Sequence, residues 1–545
     1  MQSQSSTETV FSYHQQTKHH FDRYASSLGY LDWATQPNPF RMWEGSEVIP
    51  LPLLKKDPGT AYDDLYHRDR NPQQALCWDT LGAYFELSLG ISAWKSTGVT
   101  HWALRVNPSS GNLHPTEGYV ILPDMSEVRG GVFHYNPLLH ALERRATLPG
   151  EAGNGLETHF GAPGFLVVLT SVYWRESWKY GERGFRYSMH DAGHALGALV
   201  FSGALLGWRH TFLKEVLDEE AEALVGFDRV RWTRHEEEFV DAVAFVCTGA
   251  GRNIPKRLPP ELVREASRCE FKGSPNRLSG GHADWEAIER VALTTRKEHG
   301  LTDVWQAPSR PYLDRVRYGF SASEVIRKRR SAVAMDGATG LTRDEFLAIL
   351  DRTLPRAGCA PFDIELGSPH AHLFLFVHRV DGLDPGLYFL IRNEADADDL
   401  KRACHEEFLW QPVEAGFPLA LLKKGDYRAQ AAEVSCHQDI AGDSAFSLGQ
   451  IARFRDIVEE NPWCYRRLFW ETGLVGQVLY LEAEALGKSA TGIGCYFDDP
   501  VHELLGLTDD SFQSLYHFTV GGAVVDERLT TYSAYHHLKD VNRDS

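Results

Sequence analysis

The amino-acid sequence predicts an α+β protein built as two tandem units of one design. The first observation behind this is a repeat: Phe185–Phe227 and Tyr465–Leu507 align without a gap at a constant shift of 280. Arg186 then falls on Arg466, Asp191 on Glu471, Gly193 on Gly473, Leu199 on Leu479, Gly207 on Gly487, Asp218 on Asp498 and Gly226 on Gly506. One register over landmarks of such different chemistry marks a duplication. The second observation is that the same order of helix and strand patterns surrounds both copies. The third is bulk: 545 residues, 43% hydrophobic and 12% aromatic, are too long for one core and too apolar for disorder.

Upstream of each copy lies a predicted strand pair, YVILPDMSEVRGGVFHYNP (119–137) in the first unit and HLFLFVHRVDGLDPGLYFLIR (372–392) in the second. Each copy itself begins with a helix of apolar period near 3.6, closed by Gly207 or Gly487. A short segment follows, then a second amphipathic helix that ends in LVGF or LLGL. A further strand comes next, FVDAVAFVCTGAG (239–251) or SLYHFTVGGAVV (514–525). The expected division is 1–255 for the first unit, 256–310 as an Arg-, Pro- and Gly-rich linker, and 311–545 for the second. A duplication of this kind stands in for a homodimer, with a pseudo-two-fold axis between the copies.

A formal charge of −18 argues against nucleic acid or an anionic membrane as partner, since those surfaces select Lys/Arg-rich faces. The eight cysteines fall nowhere at CxxC spacing, which removes a zinc ribbon and a thioredoxin-like pair and suits reduced thiols. The N-terminus lacks an apolar signal core, and no apolar run approaches the roughly 20 residues that span a bilayer. A cytoplasmic location is expected.

Three short stretches could carry chemistry. In RVNPSSGNLHPTEGY (105–119), Pro108 fixes the backbone, Ser109 and Ser110 supply hydroxyls and amides, Gly111 admits a flat ligand, and Asn112 adds an amide. The second unit reads ELGSPHAHLFLF at the matching place and has no such turn. An ordinary structural turn is the alternative. In SEVIRKRRSAVAMDG (323–337), Arg327, Lys328, Arg329 and Arg330 precede Ser331, which suits a phosphate clamp or else a solvated basic helix face. In SWKYGERGFRY (177–187), Lys179 beside Tyr180 offers a base and a proton relay where burial lowers the lysine pKa; a surface lysine beside a packed tyrosine is the alternative. His190 and His194 stand four apart on one helix face. Their counterparts are Trp470 and Leu474 and no third ligand is evident, so capping or packing is expected and metal is not.

Together the PSSGN turn, the RRS segment, the GL/GIG elements and the VGG strand resemble the FMN-dependent nitroreductase fold. Within it, YHQQTKHHFDRY, LDWATQPNPFR, the HYNP strand end and KYGERGFRY are similar to the azoline dehydrogenases of the SagB/ThcOx type. The resemblance implies two nitroreductase-like domains forming an intramolecular pseudo-dimer, with FMN at their interface. Its phosphate would be held by Arg329, Arg330 and Ser331 of the second unit. The turn Pro108, Ser109, Ser110 and Asn112 of the first would reach the flavin ring. Gly492, Gly494 and Cys495 match the loop that passes the flavin, and Arg528 is expected as a second phosphate contact. Because each unit keeps only one half, one complete FMN site and one dead pseudo-site are expected per chain. Val333 stands where the family usually carries Arg or Lys near the flavin N1 and O2, so another donor must serve or the potential falls.

The implied activity is an FMN-dependent dehydrogenase or oxidase that desaturates a heterocycle or C–N bond in a peptide-derived or small natural product. A hydride goes to flavin N5, Lys179 acts as base and Tyr180 as relay. Partner enzymes of a biosynthetic complex would fit this reading. An NAD(P)H-dependent nitro or quinone reductase and a flavin-free scaffold are the competing readings, the first disfavoured because its chemistry needs no protein base.

Overall fold

The computed structural model describes residues 5–67, 70–251, 253–301 and 305–538. It contains two seven-stranded antiparallel sheets, one per unit. The first runs Glu47–Pro50, Ala141–Thr147, Gly131–Asn136, Thr116–Leu122, Gly164–Ser171, Phe239–Cys247, Arg209–Phe212. The second runs Gln411–Pro412, Leu419–Lys424, Gly386–Leu390, Ala371–Val377, Phe446–Arg453, Phe512–Gly521, Ser489–Ile493. Six strands of each sheet share one connectivity, and only the outermost strand is recruited from a different place in the chain. The short segment after each long helix, left unassigned by periodicity, is the edge strand Arg209–Phe212 or Ser489–Ile493.

The repeat of 280 holds for both helices. Gly184–Leu205 is matched by Cys464–Ala485, and Asp218–Val225 by Asp498–Leu505. Amphipathic periodicity understates the burial of the long pair. Every residue of Gly184–Leu205 is buried, because the helix lies between its own sheet and the long helix of the other unit. Glycine makes that approach possible: a Cβ on Gly193 would stand 2.3 Å from the Trp470 carbonyl oxygen, and one on Gly473 would stand 2.2 Å from that of His190. Residues 190 and 470 are themselves repeat mates, so the crossing is reciprocal.

The charged landmarks repeat this exchange. Arg186 donates to Asp498 at 2.8 Å, and Arg466 donates to Asp218 at 2.8 Å, each arginine reaching the repeat mate of its own unit's aspartate. Arg183 adds a second bond to Asp498 at 2.9 Å, and Arg466 a second to Asp241 at 2.9 Å. All these side chains are buried, so each ion pair is desolvated and needs its partner in place.

Of the segment 256–310, expected as a linker, residues 256–301 fold mainly onto the first unit, whereas Pro308 and Arg310 accept from the Ala357 amide and the Arg356 side chain of the second. Residues 256–301 carry the helices Pro260–Ala266 and Glu286–Thr294 and a short strand, Ser274–Pro275, paired with Trp43–Glu44. The amides of Leu278 and Ser279 donate to the Glu236 carboxylate at 2.8 and 2.9 Å. Near the other end of the chain, Thr530–Ser533 pairs with Ile91–Ser96, which pairs with His101–Arg105. The second unit thus supplies a strand to a three-stranded sheet on the first. Among the described residues no helix is long and apolar enough to cross a membrane.

Candidate active site between the two units

The basic segment leaves the helix Ala322–Lys328, capped by the Ser321 hydroxyl, and Arg329 turns the backbone out of the helix. Arg329 is buried against the first unit: its Nη2 donates to the Arg105 carbonyl at 3.1 Å, and its guanidinium lies 4.9 Å from the centre of the Tyr480 ring. Its Nε and Nη1 are buried without an acceptor. Arg330 turns its fork onto the carbonyls of Arg327, Arg329 and Ser92, and burial with Arg329 beside it lowers its pKa to about 10. Ser331 is exposed and meets the Tyr480 hydroxyl at 2.8 Å.

Arg105, which anchors Arg329, also begins the turn. Pro108 is buried behind it. The Ser109 hydroxyl accepts from the His114 amide at 2.7 Å and reaches Glu176 at 3.4 Å. Ser110 donates to Asp191 from its amide and its hydroxyl, each at 3.1 Å. Asn112 donates to the Ala103 carbonyl at 2.9 Å and contacts His114 through its oxygen at 2.9 Å. This corrects one expectation. The turn's polar side chains hold the turn itself, and what it offers outward is the exposed backbone of Gly111, at φ 60°.

Lys179 and Tyr180 end the helix Tyr173–Tyr180, both half-buried. A Cβ on Gly111 would lie 2.7 Å from the Tyr180 hydroxyl and 3.2 Å from Lys179 Nζ, so both functional atoms rest on the bare glycine. Burial, with Glu176 next, raises the Tyr180 phenol well above its ordinary value. Tyr180 packs on Tyr187 at 4.3 Å between centroids, and Gly494 of the second unit abuts Tyr187. Gly492 lies against the Tyr516 hydroxyl and its amide donates to Tyr480 at 3.0 Å. Ser331, bridged to Ala490, completes the circuit. The contacts therefore run from clamp to turn to Lys179–Tyr180 to the Gly492–Cys495 loop and back to the clamp.

A search against family models matches none. An inferred nitroreductase of Anabaena variabilis ATCC 29413, known as a crystal structure, superposes with a TM-score of 0.68 over 96% of this chain and 100% of that one, at 22% identity. The fold is a nitroreductase fold. A curated relative, an inferred nitroreductase of Methanocaldococcus jannaschii, is 30% identical over 106 residues, 18% of this chain. The chain spans about half, 52%, of that relative's length. A chain of the E. coli microcin synthetase McbBCD complex, with truncated pro-MccB17 bound, aligns over 46% of this chain and 94% of its own at 17% identity and a TM-score of 0.24.

Within this nitroreductase fold, one observation suits FMN at the circuit: Arg329 carries two buried nitrogens in want of an acceptor, as a phosphate clamp would. The glycines at 111, 492 and 494 let tyrosines pack on the backbone, since any Cβ there would strike one. Arg528 is not part of this arrangement: its side chain is exposed and held by Asp526 at 2.8 Å, because both sit in the loop ahead of Thr530–Ser533. Lys95, on the strand that pairs with Thr530–Ser533, lies beside Arg330, and burial followed by that arginine lowers its pKa. Val333 is exposed. His190 bonds Thr472 at 3.0 Å and His194 bonds Tyr516 at 3.2 Å, so each ring nitrogen so engaged serves packing.

Sequence reasoning missed Lys95, Tyr187, Tyr480, Tyr516 and Cys436. Cys436 meets Cys495 at 2.7 Å although 59 residues separate them. Tyr187 closes the stretch 177–187 and Tyr516 lies in the strand pattern 514–525, whereas Lys95, Tyr480 and Cys436 fall in none of the stretches that suggested chemistry. Gly494→Ala would place a methyl 1.9 Å from Tyr187 Cε1, so overpacking of about 1–3 kcal/mol is expected as a lower urea midpoint. An unchanged midpoint would mean that the ring swings away freely.

Proposed function

We propose that this protein is an FMN-dependent dehydrogenase or oxidase of the SagB/ThcOx type, which desaturates an azoline-like heterocycle or a C–N bond in a peptide-derived or small natural product. The two units stand to each other as the subunits of a nitroreductase-like dimer, and they build one complete site per chain. The observation that carries this reading is the meeting of Lys179 Nζ and the Tyr180 hydroxyl on Gly111, in a turn whose first residue anchors the clamp arginine of the other unit. Arg329, Arg330 and Ser331 would hold the phosphate, with Lys95 as the second cation in place of Arg528. FMN, when bound, supplies the two-electron acceptor.

The chain's own residues supply the rest. Lys179 takes the proton from the substrate carbon, and Tyr180 orients the lysine or relays that proton. The bare backbone of Gly111 lets the Lys179 amine and the Tyr180 hydroxyl stand side by side, where a reacting carbon would come within reach of the lysine. A lysine and a tyrosine poised together favour a proton-abstracting oxidation over an NAD(P)H-driven nitro or quinone reduction. A modified peptide as substrate, and partner enzymes that prepare it, follow from the same reading.

The test is the FMN-to-chain ratio after heat release, for wild type, Arg330→Ala and the double variant Ser109→Ala/Ser110→Ala. One FMN per chain, lost when either half is altered, is expected. Two per chain would sink the single composite site, and a colourless protein that stays colourless with added FMN would favour a scaffold.

A further inference from the structure

Beneath the turn, two carboxyl groups meet out of contact with water. Glu176, on the helix Tyr173–Tyr180, is 0% exposed, and Asp191, on the long helix, is 1% exposed. The adjacent hydroxyls of Ser109 and Ser110 contact Glu176 at 3.4 Å and Asp191 at 3.1 Å, so the turn gathers both carboxyls at one place, and each acts on the other electrostatically. Asp191 receives the amide and hydroxyl of Ser110. Glu176 receives only the long bond from Ser109, and its Oε2 has no donor. Among the described residues neither carboxyl has an ion-pair partner.

Two carboxylates accept and do not donate, so contact between them is repulsive unless a proton lies between. One shared proton removes the repulsion and also gives Glu176 the partner it lacks. Burial pushes the Asp191 carboxyl up to about 7, and burial with the Asp191 charge pushes that of Glu176 well above the carboxylate range.

The duplication supplies an internal control. At the repeat mate of Asp191, Glu471 is compensated by the Arg392 guanidinium and by the amides of His370 at 2.8 Å and Ala371 at 3.3 Å. The unit without the turn and the Lys–Tyr pair has thus given its buried acid a counter-charge. The unit that carries them has kept two uncompensated acids together, at a cost no packing need explains.

We propose that Glu176 and Asp191 share one proton and together form the acceptor to which Lys179 hands the proton it has taken. This deepens the reading of Lys179 as base and rests on it. Glu176 and Lys179 are three residues apart on one helix, and the lysine is the cation whose charge Glu176 feels. The transfer leaves a neutral amine and a doubly protonated pair, and no electron moves. The titratable groups that the pair acts on are Lys179 and Tyr180 from the helix of Glu176 and Tyr516 from the second unit. Glu176 and Asp191 are positioning residues, acting through Lys179.

The test compares the full chain with Glu176→Gln and Asp191→Asn by infrared spectroscopy at neutral pH. Each replacement puts an amide donor where the shared proton was, so both variants should fold as the wild type does, which near-ultraviolet circular dichroism checks. The wild type is expected to show a protonated-carboxyl carbonyl band that both variants lose. No such band, or its persistence in both variants, overturns the proposal; this readout needs neither FMN nor substrate and is independent of what Lys179 does in turnover. The link to Lys179 is read by nuclear magnetic resonance of the reductively methylated chain, its signal assigned with Lys179→Arg. The Lys179 titration midpoint should fall in the Glu176→Gln/Asp191→Asn double variant, which removes the negative charge. An unmoved midpoint overturns the role toward Lys179.

Discussion

Asp498→Ala is expected to lower the stability of the whole chain by about 3–5 kcal/mol, because it strands two buried guanidiniums at once. Arg183 and Arg186 both donate to this carboxylate, and all three side chains are buried. Burial alone would raise the Asp498 pKa; the two arginines outweigh it and hold the carboxyl well below the usual range. A depressed carboxyl contributes stability that is present above its unfolded value, near pH 4, and is lost as pH falls through the folded value. Wild type should therefore lose stability on acidification in a way that Asp498→Ala does not. Urea midpoints measured across pH check both points, and a change below about 1 kcal/mol would mean that water reaches the arginines. Arg466→Met, which strands Asp218 and Asp241, probes the reciprocal place.

Lys179→Met should slow oxidation of a thiazoline-bearing peptide by about 10²–10⁴-fold, the range a positioned general base contributes. The readout is bleaching of bound flavin on anaerobic mixing. FMN content should stay at the wild-type ratio, because the bonds that hold the turn run from Ser109, Ser110 and Asn112 to groups other than Lys179. An unchanged rate would remove the lysine from the chemistry and leave the nitroreductase fold without a protein base at this place.

Much of the architecture was legible because it repeats. Both helices of each copy and the flanking strands follow from apolar spacing, and the shift of 280 says that they are built alike. The edge strands were not legible, since Arg209–Phe212 is too short for periodicity to separate it from a loop. In the candidate site, Lys179, Tyr180 and the turn stand out by local patterns. The partners of the turn's side chains were not legible, because Ser110 and Asn112 bond to Asp191 and Ala103, 81 and 9 residues away, which a linear pattern does not rank. Arg528, expected as a second phosphate contact, is instead turned onto its own loop. Its neighbour Asp526, two residues back, was the sign that the charge was already answered. The contact between Glu176 and Asp191 crosses from one helix to the next and leaves no mark in the spacing.

The strand Thr530–Ser533 gives the site an order of assembly. Lys95, on the edge it covers, bonds Thr531 across 436 residues of chain. At a synthesis rate of about 5–20 residues per second, the first unit's half of the site waits roughly 20–90 s on the ribosome for that closing strand. Until then the edge Ile91–Ser96 is an open ladder. On the proposed reading, cofactor loading is a late event in the life of each molecule, and the nascent first half is where a chaperone would have most to protect.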